Sequence, residues 1–255
     1  MIRSDSHILM MGSCFSTEIG SRLSALGYDV ILNPFGILFN PASIANALQR
    51  LENCEPFRSD DVICRTEDAS QGKYSYVSYH HHGSFARASA KEFLDNANSS
   101  LIQACRGFQR CDTIILTLGT SWVFRHIQKD MVVANCHKVP ASEFSREFIS
   151  SREAADLLAP FIQRHKDKTW ILTVSPVKHL ADGEEGNRTS KESLIEAVSI
   201  LKDAFPETVS YFPSFEIVTS LPDGRGFKND GSHPSEEAVN MVFEAFISSA
   251  LPSRP

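Results

Sequence analysis

An α/β fold is what this 255-residue chain predicts: a three-layer αβα sandwich on a five-stranded parallel sheet, with a small hairpin insertion. Three observations predict it. Short and almost wholly apolar runs, the mark of strands buried on both faces, alternate with stretches whose apolar residues recur at helical spacing. Five such strands separated by helices require right-handed crossovers, which put helices on both faces and favour the flavodoxin-like strand order 2-1-3-4-5. Finally, Cys14, Gly36, Ser121, Ser175 and His233 each follow a candidate strand, at the carboxyl edge where such sheets bind ligands.

Taken in order, Ile8-Leu9-Met10-Met11 is the first strand, and Ile19, Leu23 and Leu26 mark a helix face that Gly27 closes. Asp29 to Leu32 is a short second strand running into Asn33-Pro34-Phe35-Gly36. Asn40-Pro41 opens a helix, the asparagine as cap and the proline in the first turn, with Ile44, Leu48 and Leu51 as its stripe. Residues 53–90 are less regular. Their Tyr74, Tyr76, Val77 and Tyr79 suggest an extended segment or hairpin, ending in His80-His81-His82, which reads as a surface loop with His82 entering the pocket. A helix follows on Phe93, Ala97, Leu101 and Cys105. Thr113 to Leu118 is the central, doubly buried strand. Val123 to Val133 reads as a projecting hairpin leading to Asn135-Cys136-His137-Lys138. A helix near 152–165 precedes the strand Trp170 to Val174. A polar loop, Lys178 to Arg188, leads to a helix carrying Leu194, Val198, Leu201 and Phe205. Val209 to Phe212 is the last strand, and Ala238, Val242 and Phe246 mark the final helix.

A hydrophobic content of 42% is enough for a full core, and no repeat, low-complexity tract or linker divides the chain, so residues 1–255 read as one domain. The net charge is -6 and no basic run occurs, which argues against a nucleic-acid partner. No apolar stretch is long enough to cross a bilayer, and Ile8 to Met11 is too short for a signal peptide. A cytoplasmic protein is expected. Its six cysteines show no CxxC pair and are expected to be free thiols.

Two short motifs carry the chemistry. Gly12-Ser13-Cys14-Phe15 lies at a strand-to-helix turn, where small nucleophilic side chains meet a helix N-terminus. Asp230-Gly231-Ser232-His233 sets an acid three residues before a histidine. Nucleophile, base and orienting carboxylate are the parts of a covalent hydrolase. Against this, a buried cysteine is often structural, and a lone DxxH often only starts a helix.

The ordered blocks Gly12-Ser13-Cys14, Asn33 to Gly36, Gly119-Thr120-Ser121 and Asp230-x-x-His233 resemble those of the SGNH/GDSL hydrolase superfamily. Within it the chain resembles the GSCFA family more closely, through Gly12 to Phe15, Asn33 to Gly36, Thr117 to Thr120, Asn135 to Pro140, Val174 to His179 and His233-Pro234. The resemblance implies an SGNH-type sandwich and an acyl-ester hydrolase. It places Cys14 in the nucleophile slot, with Ser13 as nucleophile in the alternative frame. A helix N-terminus favours thiolate, so a lowered Cys14 pKa is expected. His233 is then the general base and Asp230 its orienting partner. Gly36 fits the oxyanion glycine, and Ser121 stands where the superfamily has asparagine. Asn135 offers a replacement amide if the hairpin folds over the site, and His82 and His137 are further substrate-binding candidates. No cofactor is expected, and a zinc site built from Cys14, His82, Cys136, His137 and His233 is the weaker alternative. The expected partner is a small-molecule or glycan ester. The same constellation would serve acyl transfer to a sugar hydroxyl. A non-catalytic glycan- or protein-binding module is the reading from a different class.

Overall fold

The computed structural model describes residues 2, 3, 5–68 and 73–250. Along the chain run β1 (His7–Gly12), α1 (Cys14–Ala25), β2 (Asp29–Leu32), α2 (Pro41–Asn53), β3 (Ile63–Asp68), β4 (Lys73–Val77), α3 (Ala90–Arg110) and β5 (Thr113–Leu118). They are followed by β6 (Trp122–His126), β7 (Met131–Val133), β8 (Phe144–Phe148), α4 (Ser151–Arg164), β9 (Thr169–Val174), α5 (Gly183–Ala204), β10 (Val209–Phe212), α6 (Ser214–Thr219) and α7 (Glu236–Ala250).

The central sheet is parallel throughout, in the order β2-β1-β5-β9-β10, which is the predicted 2-1-3-4-5. Alternate side chains of each strand enter opposite helical layers, as the period of two dictates. Leu9, Met11, Ile114, Leu116, Trp170 and Leu172 pack with α2, α3, α4 and α5. Ile8, Met10, Ile115 and Ile171 pack with α1 and α7 on the other face. Every residue of β5 is buried, which explains its unbroken apolar sequence.

Caps set the helix starts. Ser13 accepts a hydrogen bond from the Phe15 N–H at α1, and Asn40 accepts one from the Ser43 N–H at α2, with Pro41 in the first turn. Ser150 and Glu153 form a reciprocal capping box at α4.

Four features differ from the sequence expectation. The projecting hairpin β6–β7 gains a third strand, β8, on its free edge, making an antiparallel sheet in the order β7-β6-β8. The polar loop after β9 is shorter than expected. Helix α5 begins at Gly183; its first turns face solvent and carry charge rather than an apolar stripe, so the sequence reads them as loop. The short helix α6, with only Ser214 and Val218 buried, has too little periodicity to be read from the chain. Finally, the His80–His82 run is not a surface loop. His81 is buried, its ring lying 4.4–5.7 Å from those of Phe35, Phe57, Phe85 and Phe93. The hairpin expected within 53–90 forms as β3–β4, and residues 69–72 at its tip lie outside the described residues.

Candidate active site

The strand order reverses between β1 and β5, and ligands bind at the carboxyl ends of strands on either side of such a switch. Gly12 ends β1 there, opposite Thr117. Its φ is +142°, and a Cβ would lie 2.2 Å from the Thr117 carbonyl oxygen, so only glycine lets the chain turn this close to β5. The Ser13 N–H donates to that same oxygen (3.1 Å). The loop after β2 braces the turn. Asn33, in the left-handed region, accepts from the Gly12 N–H through Oδ1 (3.0 Å), and the Leu38 N–H donates to the Gly12 carbonyl (2.9 Å).

The turn delivers Cys14 as the first residue of α1, half-buried, on the wall of a cleft of about 870 Å³. Burial pushes its thiol pKa up. The N–H groups of Cys14 and Phe15 and the charge of Lys191 pull it down, while Glu18 adds to the rise. The net direction is upward, which corrects the expected lowering: desolvation of the charged form outweighs the helix terminus here.

His233 also lines this cleft, and it shares a second, smaller cavity of about 280 Å³ with Cys14. Its Nδ1 is 2.8 Å from Asp230 Oδ2. Asp230 Oδ1 accepts from the Ser232 and His233 N–H groups at 2.8 and 2.9 Å. These bonds, the backbone ones first, hold the Asp230 carboxyl down at about 2, so it is ionised at any physiological pH. With Nδ1 donating to that carboxylate, Nε2 is left as a proton acceptor. Reciprocal bonds seat the loop. The Lys178 N–H donates to the Ser232 carbonyl (2.9 Å), and Ser232 Oγ donates back to the Lys178 carbonyl (2.6 Å).

The other expected site residues divide. Asn135 lines the cleft. Its Oδ1 accepts from the His137 N–H (2.7 Å), so its amide N–H₂ is the end not engaged by that bond. Ser13 is buried and serves as the α1 cap. Ser121 is turned into the core. Its Oγ donates to the Ser190 carbonyl (3.2 Å) and its N–H to Ser190 Oγ (2.7 Å), so it offers the cleft no donor. The Gly36 N–H donates to the Asn33 carbonyl (2.7 Å), completing a turn in which a Cβ would meet His82 at 2.5 Å. Gly36 therefore shapes the loop that supports β1, and its N–H is already taken. His82 packs against Gly36 and caps the Ser84 N–H. His137 is buried, with Nε2 2.8 Å from the Ser78 carbonyl. Both histidines lie beside the cleft rather than on its wall. Among the described residues, no three His, Cys, Asp or Glu side chains are grouped closely enough to hold a metal ion.

Trp122, Arg146, His179 and Asp182 also line the cleft, and of these Arg146 and Asp182 carried no signal in the sequence. Trp122 lies under the Arg146 guanidinium, 3.8 Å from the ring centroid, and Arg146 also pairs with Asp182. His179 packs edge-on against Phe39, and burial, then Lys191, hold it down at about 4. Lys191 is fully buried, its Nζ donating to the carbonyls of Gly119 and Ser175. The match of Val174 to His179 with a family block pointed towards His179.

Fold and cleft together define a parallel-sheet α/β protein with cysteine, histidine and aspartate gathered at the topological switch point. The chain belongs to the GSCFA family, which it matches over residues 7–246. It is also similar to a solved structure described as "a putative platelet activating factor from Streptococcus pneumonia". That similarity is at 12% identity and a TM-score of 0.45, over 96% of this chain and 83% of that one. No curated protein matches it. No helix among the described residues is long and apolar enough to cross a membrane.

Proposed function

We propose that this protein is an acyl-ester hydrolase of the SGNH/GDSL type, acting through a covalent acyl-enzyme on Cys14. One observation carries the reading: Cys14 and His233 share the walls of one cleft, and His233 Nδ1 is held by an ionised Asp230 at 2.8 Å. His233 Nε2 takes the thiol proton as Sγ attacks the ester carbonyl. The tetrahedral intermediate collapses to a thioester, and the protonated imidazole gives that proton to the leaving alcohol. Water, deprotonated by the same nitrogen, then releases the acid and restores the thiol. Asp230 keeps the imidazole in the required tautomer and stabilises its charged form.

With Gly36 and Ser121 committed elsewhere, the donors that remain for the oxyanion are the Cys14 N–H and the Asn135 amide. A second reading, acyl transfer to a sugar hydroxyl, draws support from the two cavities that meet at Cys14 and His233, one for the acyl donor and one for the acceptor.

Intact-mass analysis after incubation with an activated ester tests the proposal. An acyl adduct is expected on wild type and on Ser13→Ala and is absent from Cys14→Ala. His233→Ala should slow its formation by roughly 10²–10⁴-fold. No adduct with any ester, together with no effect of His233→Ala, would mean a binding module. Product formed on a sugar acceptor in preference to water selects transfer over hydrolysis.

A further inference from the structure

The cleft of about 870 Å³ that holds Cys14 and His233 takes apolar wall from three parts of the fold. Ile37 and Phe39 come from the loop after β2, Phe124 and Val133 from the projecting sheet, and Val177 and Leu180 from the loop after β9. On β6 the period of two sends Trp122 and Phe124 to this cleft, while Val123 and Arg125 line a separate cavity. Phe124 and Leu180 are 42% and 60% exposed, so the fold leaves two large apolar side chains uncovered on the cleft wall. Uncovered apolar surface in a concave site is what an apolar ligand fits.

Most polar groups along the same walls are already engaged. Asn40 Oδ1 accepts from the Ser43 N–H (2.8 Å), and the Thr120 and Ser190 hydroxyls pair at 3.1 Å. Arg146 lies on Trp122 and pairs with Asp182, and Ser232 Oγ donates to the Lys178 carbonyl (2.6 Å). A sugar here would bury hydroxyls against groups already taken, whereas a hydrocarbon chain forfeits no hydrogen bond. The smaller cavity differs in kind, since Glu18, Arg22, Lys228 and Glu236 line it.

We propose that the large cleft is the acyl subsite and takes an alkyl chain longer than acetyl, with Phe124 and Leu180 as the residues that set chain preference. The polar alcohol half of the ester then occupies the smaller cavity, on the other side of the Cys14–His233 pair. The assignment of the two halves rests on Cys14 being the acylated residue of the proposed hydrolase. Each methylene that leaves water between the projecting sheet and the loop after β9 stabilises the bound acyl group. A chain held this way also fixes the carbonyl carbon against Cys14, so the preference enters kcat/KM.

The p-nitrophenyl esters of acetate, butyrate and octanoate, which share one alcohol, test the subsite. From acetate to octanoate kcat/KM should rise roughly 10²-fold, and Phe124→Ser and Leu180→Ser should each cut that ratio by roughly fivefold. Ile127→Ser, an exposed apolar side chain that does not line the cleft, should keep it. A flat or falling series on an enzyme that still acylates Cys14, or an unchanged ratio in both serine variants, overturns the subsite and spares the hydrolase. A second arm needs no chemistry. Butyrate and octanoate are titrated into Cys14→Ala and followed by ¹H–¹⁵N NMR. Octanoate should bind roughly tenfold more tightly, and adding Phe124→Ser should remove most of that gain. Chain-dependent binding with no adduct from any ester sinks the hydrolase and keeps the subsite. Equal binding of the two acids, or a methyl glycoside shifting the cleft resonances in their place, overturns it.

Discussion

Single residues decide whether the nucleophile turn can exist. Gly12 combines a φ of +142° with a backbone oxygen 2.2 Å from where its Cβ would stand. Gly12→Ala must therefore push β1 away from β5 as well as strain its own backbone. A loss of about 2–4 kcal/mol in urea-denaturation stability is expected; a loss under about 0.5 kcal/mol would show that the turn relaxes freely. Cys14 and the Asp230–His233 pair were readable because their types announce a role: a cysteine directly after a strand, an acid three residues before a histidine. Ser121 and Gly36 were misjudged for a physical reason. Sequence places a residue in a loop, but the partner that claims its hydrogen bond, Ser190 or Asn33, is set by packing.

At the scale of elements, α5 does more than cover the sheet. Ser190 and Lys191, adjacent on its buried face, grip the loop after β5, one through the Ser121 N–H and the Thr120 hydroxyl, the other through the Gly119 carbonyl. Ser190→Ala leaves the buried Ser121 N–H without its acceptor, so a loss of about 1–3 kcal/mol is expected. Chemical denaturation measures it, and a loss confined to the thermal noise would mean the helix does not hold the loop. The strands and the long amphipathic helices were legible because burial on two faces, or on one stripe, imposes a period on the sequence. Strand β8 was not, since Phe144–Phe148 pairs along the edge of a three-stranded sheet and is only partly buried. Helix α5 was read short for the same reason: its first turns bury little and carry no stripe.

Across the whole molecule, buried histidines tie stability to pH. Burial holds His179 at about 4, and it holds His81, whose two ring nitrogens have no hydrogen-bond partner among the described residues, well below the ordinary histidine value of 6.5. Between these values the unfolded chain binds more protons than the native one, so stability falls as pH drops from about 6.5 towards 4. His179 alone contributes at most about 3 kcal/mol over that window. Urea midpoints at pH 7 and pH 4.5 should diverge in wild type and draw together in His179→Asn and in His81→Leu. Equal divergence in all three proteins would show that other groups govern the acid limb. Asp230 acts lower, losing its contribution as pH falls from the ordinary 3.8 through about 2. What the sequence by itself determined is the sandwich, its strand order and the meeting of Cys14, Asp230 and His233 at one sheet edge. Periodicity and crossover handedness are local rules, and together they leave few topologies. Only the tertiary structure decided which polar groups face the cleft. It turned Ser121 inward, put His81 among phenylalanines, raised the Cys14 thiol and buried Lys191 against the carbonyls of Gly119 and Ser175. Burial and hydrogen-bond partnership are properties of neighbours distant in sequence, and no pattern along the chain encodes them.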